Sequence, residues 1–156
     1  MSDLTPQSAA VLGPIIYEKI ANHESVLLTV TGHSMTPTFK DRRDAVVLQG
    51  LTQWPPPRGT ILFIQRPQGE FVLHRVIRVV GRNVILNGDG QVWMEGPIEQ
   101  SQAIAQVTLF RRRGRYRSVD ALGVRLYARV WMALRPLRRK VFALYRALKG
   151  FGRRKK

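Results

Sequence analysis

Apolar and polar positions change their rhythm three times along this chain. Residues 8–22 carry Ile15, Ile16, Lys19 and Ile20 at helical spacing, with Pro14 suited to a first turn, and predict a short helix. From residue 25 the period shortens. Residues 25–31 (SVLLTVT) are apolar and β-branched and run up to Gly32, which predicts a strand. Further strands are expected at residues 44–48 (DAVVL), 60–65 (TILFIQ), 71–80 (FVLHRVIRVV), 83–86 (NVIL) and 103–111 (AIAQVTLFR). Between them lie 54–59 (WPPPRG), 66–69 (RPQG), 81–83 (GRN) and 87–90 (NGDG), rich in the residues that turns require. Short strands in succession, with no helices between them, predict an antiparallel β body.

Beyond Phe110 the period lengthens again. Residues 111–117 read as a charged turn, and Ser118 is placed to cap a helix with Asp120 in its first turn. Residues 119–134 are largely apolar, with Arg125 and Arg129 on one face at i and i+4. Pro136 interrupts them. A second helix is expected to present Leu137, Val141, Leu144 and Leu148 on one face, with Arg138, Arg139, Arg146 and Lys149 elsewhere, and to end at Gly150 and Gly152. The organisation expected is a helical segment over 1–24, a β domain over 25–117 and a basic amphipathic tail over 118–156.

Composition narrows the chemistry. A length of 156 residues suits one domain with an appendage. The chain has no cysteine, which excludes disulfides, cysteine nucleophiles and thiolate metal sites. Three histidines without a ligand cluster do not predict a zinc site, and no cofactor is expected. The longest stretch without a charged residue, 25–39, falls short of the roughly 18 residues a spanning helix needs. The amino terminus has no basic flank before an apolar run. The expectation is a soluble, cytoplasmic protein.

Charge separates two units. Residues 1–110 hold nine Lys/Arg and nine Asp/Glu, whereas residues 111–156 hold seventeen Lys/Arg against Asp120 alone. The whole net charge of +16 therefore belongs to the tail. Its apolar faces, arginines and aromatic residues Tyr127, Trp131, Phe142 and Tyr145 suit helices lying on an anionic membrane surface, at the inner face of the cell membrane. Nucleic-acid binding is disfavoured, because no base-reading motif accompanies the charge. A third option is that the first tail helix packs on the body and only the outer charges are solvated.

Three features could carry chemistry. In Thr31-Gly32-His33-Ser34-Met35-Thr36-Pro37-Thr38 a strand runs into a glycine turn that presents Ser34, among backbone N–H groups, before a proline-fixed exit. Taken alone, Ser34 is an ordinary turn serine. His74 lies in mid-strand and shares a face with Val72 and Val76; it is either a core histidine or a general base. Asp89 and Glu95 are carboxylates that could orient it, although Asp89 also fits a plain turn.

Taken together and in order, these parts resemble the signal peptidase I family and its relatives, the repressor-type autoproteases. The resemblance covers roughly residues 26–110. It rests on a Gly-x-Ser-Met-x-Pro-Thr box at 32–38, an Asp-x-Val strand at 44–47, Arg-Gly-x-Ile-x-Phe at 58–63, His-Arg-Val-Ile at 74–77, Gly88-Asp89, and Ile-x-x-Val at 104–107. It implies coiled antiparallel β-sheets and a serine endopeptidase acting through an acyl-enzyme on a peptide or precursor protein. Ser34 would be the nucleophile and His74 the base, as in the branches that have histidine where other members have lysine. The acid six residues beyond the Gly-Asp turn is Glu95 where those branches have Asp, so Glu95 and Asp89 both stand as the third member. The family's amino-terminal membrane helix is not found here, and Gly32 has no hydroxyl where some members supply one to the oxyanion. These departures support a second expectation: a peptide-binding or scaffolding protein that keeps the fold without turnover, attached to membrane or a partner by its tail.

Overall fold

One strand has to serve two cores, and this decides the architecture. In the computed structural model, which describes residues 2–4 and 9–144, the run Ile61-Leu62-Phe63-Ile64 is buried throughout. Side chains alternate along a strand. Ile61 and Phe63 enter one apolar cluster with Val26, Leu28, Val46, Leu73 and Phe110, while Leu62 and Ile64 enter another with Val76, Val84, Leu86 and Ile98.

In chain order the elements are β1 (Ser2–Leu4), α1 (Ala9–Ala21), β2 (Val26–Thr29), β3 (Asp44–Gln49), β4 (Ile61–Gln65), β5 (Phe71–Val80), β6 (Asn83–Asn87), β7 (Glu95–Ile98), β8 (Ala103–Arg112), β9 (Arg115–Ser118) and α2 (Leu122–Ala133). The strands form one sheet in the order β1-β2-β3-β8-β4-β5-β6-β7, with β9 also on β8. All pairs are antiparallel except β1 with β2. The fold is thus mainly β with flanking helices. Registers shift at Val47/Leu48, Phe63/Ile64, Val76/Arg78 and Val84/Leu86, and such irregularities bend a sheet. The bending closes it on itself. Residues 28–31 at the end of β2 line one pocket with Phe63, Phe71, Val72 and Leu73, although β3, β8 and β4 separate β2 from β5 in sheet order.

The expected strands are present with small changes at their ends, and four local expectations need correction. Pro14 lies inside α1 rather than in its first turn, because Leu12 and Ile16 on either side are both drawn into the core. Residues 111–117 are not simply a charged turn. Arg111 and Arg112 extend β8, and the chain returns as β9 about Arg113-Gly114, both with positive φ as a tight hairpin requires. Ser118 does not cap a helix. It ends β9, its Oγ accepts the Asp120 N–H at 3.0 Å, and α2 begins at Leu122 without a side-chain cap. Arg138 is not a surface charge of the tail but is fully buried. Residues 138–144 are helical as expected, while Tyr145, Arg146, Leu148, Lys149, Gly150 and Gly152 lie outside the described residues.

The tail is joined to the body. Val119 and Val124 pack against the first core cluster, and Ala128 and Met132 are buried. At the other end of β3, the buried Asp44 binds Arg43 Nε at 2.8 Å and Arg112 Nη2 at 2.9 Å, and Arg112 also donates to Thr38 O. Burial opposes ionisation of Asp44. The hydrogen bonds from Arg43, Arg112 and the Lys40 N–H outweigh it and bring its pKa from 3.8 down to about 2. A carboxylate depressed on folding stabilises the fold above its unfolded pKa and loses that contribution as pH falls through the folded one. Asp44→Asn is therefore expected to lower stability by about 3 kcal/mol at neutral pH. In urea unfolding, the gap between the variant and the parent should close as pH is lowered from about 4 toward 2.

Candidate active site

The turn between β6 and β7 decides where the candidate residues sit. Gly90 N–H donates to Ser34 O at 2.7 Å, so the 32–38 loop lies directly over the 88–90 turn. Both glycines are there for clearance. A Cβ on Gly88 would stand 2.6 Å from Ser34 O, and one on Gly90 would stand 2.5 Å from His33 O. Gly32 starts the loop at φ 84° and donates its N–H to Asp41 Oδ1. Ser34 is half-buried. It lines the pocket between β2 and β5 together with Val72 and Leu73, the two residues that precede His74.

His74 is 1% exposed, on the same face as Val72 and Val76. Its Nδ1 lies 2.8 Å from Glu95 Oε2. Glu95 in turn receives a two-pronged bond from Arg66, at 2.5 Å from Nε and 3.0 Å from Nη2. Burial opposes the charge on Glu95, but Arg66 and His74 outweigh it and hold its pKa below the ordinary 4.5. An ionised carboxylate only accepts, so Nδ1 carries the proton and the lone pair of the neutral ring is on Nε2. Among the described residues, Nε2 is buried with no hydrogen-bond partner. An unpaired buried acceptor costs about 1–3 kcal/mol. No hydrogen bond joins Ser34 Oγ to His74 Nε2 in this structure.

Burial is the largest influence on His74 and pushes its pKa below 6.5, against the opposing pull of Glu95. The ring is neutral at pH 7. Below about 6.5 the unfolded chain takes up a proton that the folded chain refuses, so His74 lowers stability on acidification.

Asp89 has a different place. Its carboxylate binds Arg75 at 2.6 Å and Thr38 Oγ1 at 2.5 Å, and no hydrogen bond links it to His74 among the described residues. It acts on His74 only through its charge. Of the two acids left open by sequence, Glu95 makes the Nδ1 contact and Asp89 is a structural anchor. Arg75 and Asp89 are both buried, and Arg138 approaches Asp89 to 4.0 Å while bonding Asn87 Oδ1 and Gln91 O. Arg66, Arg75 and Arg138 are not among the site residues that the sequence predicts. Arg66 looked like part of a turn, and nothing local indicates that Glu95, 29 positions away, is its partner.

No family model and no curated protein matches this chain.

The two carboxylates can be told apart by titration. Glu95→Gln is expected to move the His74 imidazole to a still lower pKa, because the group that favours the protonated ring is gone. Asp89→Asn should leave the Nδ1 signature intact while lowering the urea midpoint by an amount equivalent to about 3 kcal/mol or more. Imidazole nitrogen NMR across pH, on each variant, reads both outcomes. A His74 titration unchanged in Glu95→Gln would contradict the assignment.

Proposed function

We propose that this chain is a serine endopeptidase of the histidine type, resembling signal peptidase I, with Ser34 as nucleophile, His74 as base and Glu95 as the acid that orients it. The observation that carries the reading is the state of His74. Its Nδ1 is fixed by a carboxylate, its Nε2 is unprotonated, buried and unpartnered, and Ser34 lines a pocket with Val72 and Leu73, the two residues that precede it. Ser34 Oγ would attack a peptide carbonyl while His74 Nε2 takes its proton. The same nitrogen then returns the proton to the leaving amine, and a water repeats the sequence on the ester. Nucleophile and base are often apart before substrate binds, which fits the missing Ser34–His74 bond. The Ser34 N–H makes no hydrogen bond among the described residues and serves as one oxyanion donor.

Two features support a peptide as substrate. The outer edge of β2 already accepts a strand in parallel, Ser2–Leu4 of this same chain, in register from Val26 to Leu28. Such an edge binds peptides through main-chain hydrogen bonds. Further along β2, the pocket at Ser34 has a volume of about 100 Å³ and is lined by Leu28, Val30, Met35, Phe63 and Phe71 among others. That is smaller than the roughly 150 Å³ apolar cavity able to hold a benzene ring, so it suits a small aliphatic side chain.

Ser34→Ala should abolish hydrolysis of a reporter peptide while the circular dichroism spectrum stays unchanged. A peptide with Ala at the residue before the cut should be cleaved at least about tenfold faster than one with Phe, since an aromatic ring overfills the pocket. The acid limb of kcat/KM should fall below pH 6.5, because burial depresses the His74 pKa. Cleavage that survives in Ser34→Ala would reject the mechanism. The rival reading, a peptide-binding module without turnover, is favoured by the absent Ser34–His74 bond. Peptide binding without a Ser34-dependent product would establish it.

A further inference from the structure

The inner face of α2 is accounted for by the body, and its outer face is not. Val124 packs against the core, Ala128 and Met132 are buried, and Trp131 Nε1–H donates to Asp89 O at 3.1 Å. On the opposite side Leu122, Leu126 and Val130 fall at i, i+4 and i+8, a single line along the helix. They are 84%, 59% and 52% exposed. Arg125 and Arg129 run beside that line. The same division continues past Pro136. Arg138 is buried and Phe142 packs on Trp131, while Leu137, Val141 and Leu144 are exposed together with Arg139 and Lys140. A surface helix ordinarily turns charged residues outward, so six exposed aliphatic residues on one tail call for a cover.

Charge selects what that cover is. The segment from residue 111 to the end holds seventeen Lys/Arg against one acid, so a second copy of the chain would be repelled. Phosphates of a nucleic acid would satisfy the cations and leave the leucines in water. We propose that this outer face docks the protein in the plane of an anionic lipid bilayer. The aliphatic line enters the boundary between headgroups and acyl chains, and the flanking arginines meet the headgroup phosphates. No helix among the described residues is long and apolar enough to cross a membrane, and in-plane docking needs none. The attachment is independent of the peptidase reading. It does set the site's position: α2 also reaches the 32–38 loop through Tyr127 and Thr38, so that loop lies about one helix diameter, roughly 10 Å, from the lipid.

The test is cosedimentation of the full chain with phosphatidylcholine vesicles, with and without about 30% phosphatidylglycerol. Duplex DNA binding is measured in parallel. The parent should bind the anionic vesicles and not the neutral ones. The triple variant L122S/L126S/V130S alters only exposed side chains. It should keep its circular dichroism spectrum and its DNA binding while losing roughly tenfold or more in vesicle partitioning. R125E/R129E should weaken binding to the anionic vesicles as well. Unchanged vesicle binding by the triple variant would overturn the proposal, as would DNA binding without vesicle binding. A concentration-dependent oligomer that the triple variant abolishes, with no vesicle binding, would assign the face to self-association instead.

Discussion

The buried Asp89 carboxylate is the point through which four parts of the molecule are tied. Arg75 brings β5 to it at 2.6 Å, and Thr38 brings the end of the Ser34 loop. Trp131 donates to its backbone oxygen, and Arg138 closes over the turn from the tail. Taking two charges out of water is costly, so such a pair depends on further hydrogen bonds to its remaining donors and acceptors. Here Arg75 also donates to Gly59 O, and Arg138 to Asn87 and Gln91. Removing any one partner leaves a buried charge exposed to a dry environment. The tail is thus part of the anchor as well as an appendage.

Glu95 and Asp89 illustrate how environment separates two similar side chains. Asp89 sits on the short turn next to β5 and is engulfed, so its oxygens are spent on Arg75 and Thr38. Glu95 begins β7 at the margin, partly exposed, with Arg66 gripping its outer side and one oxygen turned to His74. The extra methylene of a glutamate does not prevent that contact. A carboxylate held by an arginine is kept ionised, which fixes the histidine tautomer, and its charge is already balanced in part by Arg66, which limits how far it can favour imidazolium. Both effects suit a ring that is neutral at pH 7 with an open Nε2.

Much of the β body was legible in sequence. The runs at β2, β3, β4, β5, β6 and β8 are apolar, β-branched and separated by residues with turn chemistry, and each became a strand within a few residues of its expected ends. The strands that escaped notice lack that signature, beginning with β1, Ser-Asp-Leu, in the segment expected to be helical. β7 is Glu-Gly-Pro-Ile on the sheet margin, and β9 is Arg-Tyr-Arg-Ser, folded back by a hairpin whose second residue is glycine. Their strand character comes from a neighbour's free edge and not from their own composition. Ser118 failed as a cap for a related reason: the ladder with Leu109 already claimed its backbone.

The sequence by itself determined which residues could carry chemistry: a serine in a glycine turn, a histidine in an apolar strand, and acids a short way beyond a Gly-Asp turn. It also determined that the charge excess belongs to the tail. Those are local properties, written in spacing, side-chain type and count. Tertiary structure alone decided which acid meets the histidine, which arginines are spent on buried carboxylates, and which face of α2 remains in solvent. Such choices depend on residues 14 to 51 positions apart meeting across a coiled sheet, and on which groups find partners once water is excluded. Periodicity records the faces of each element. It carries no information on what those faces will meet.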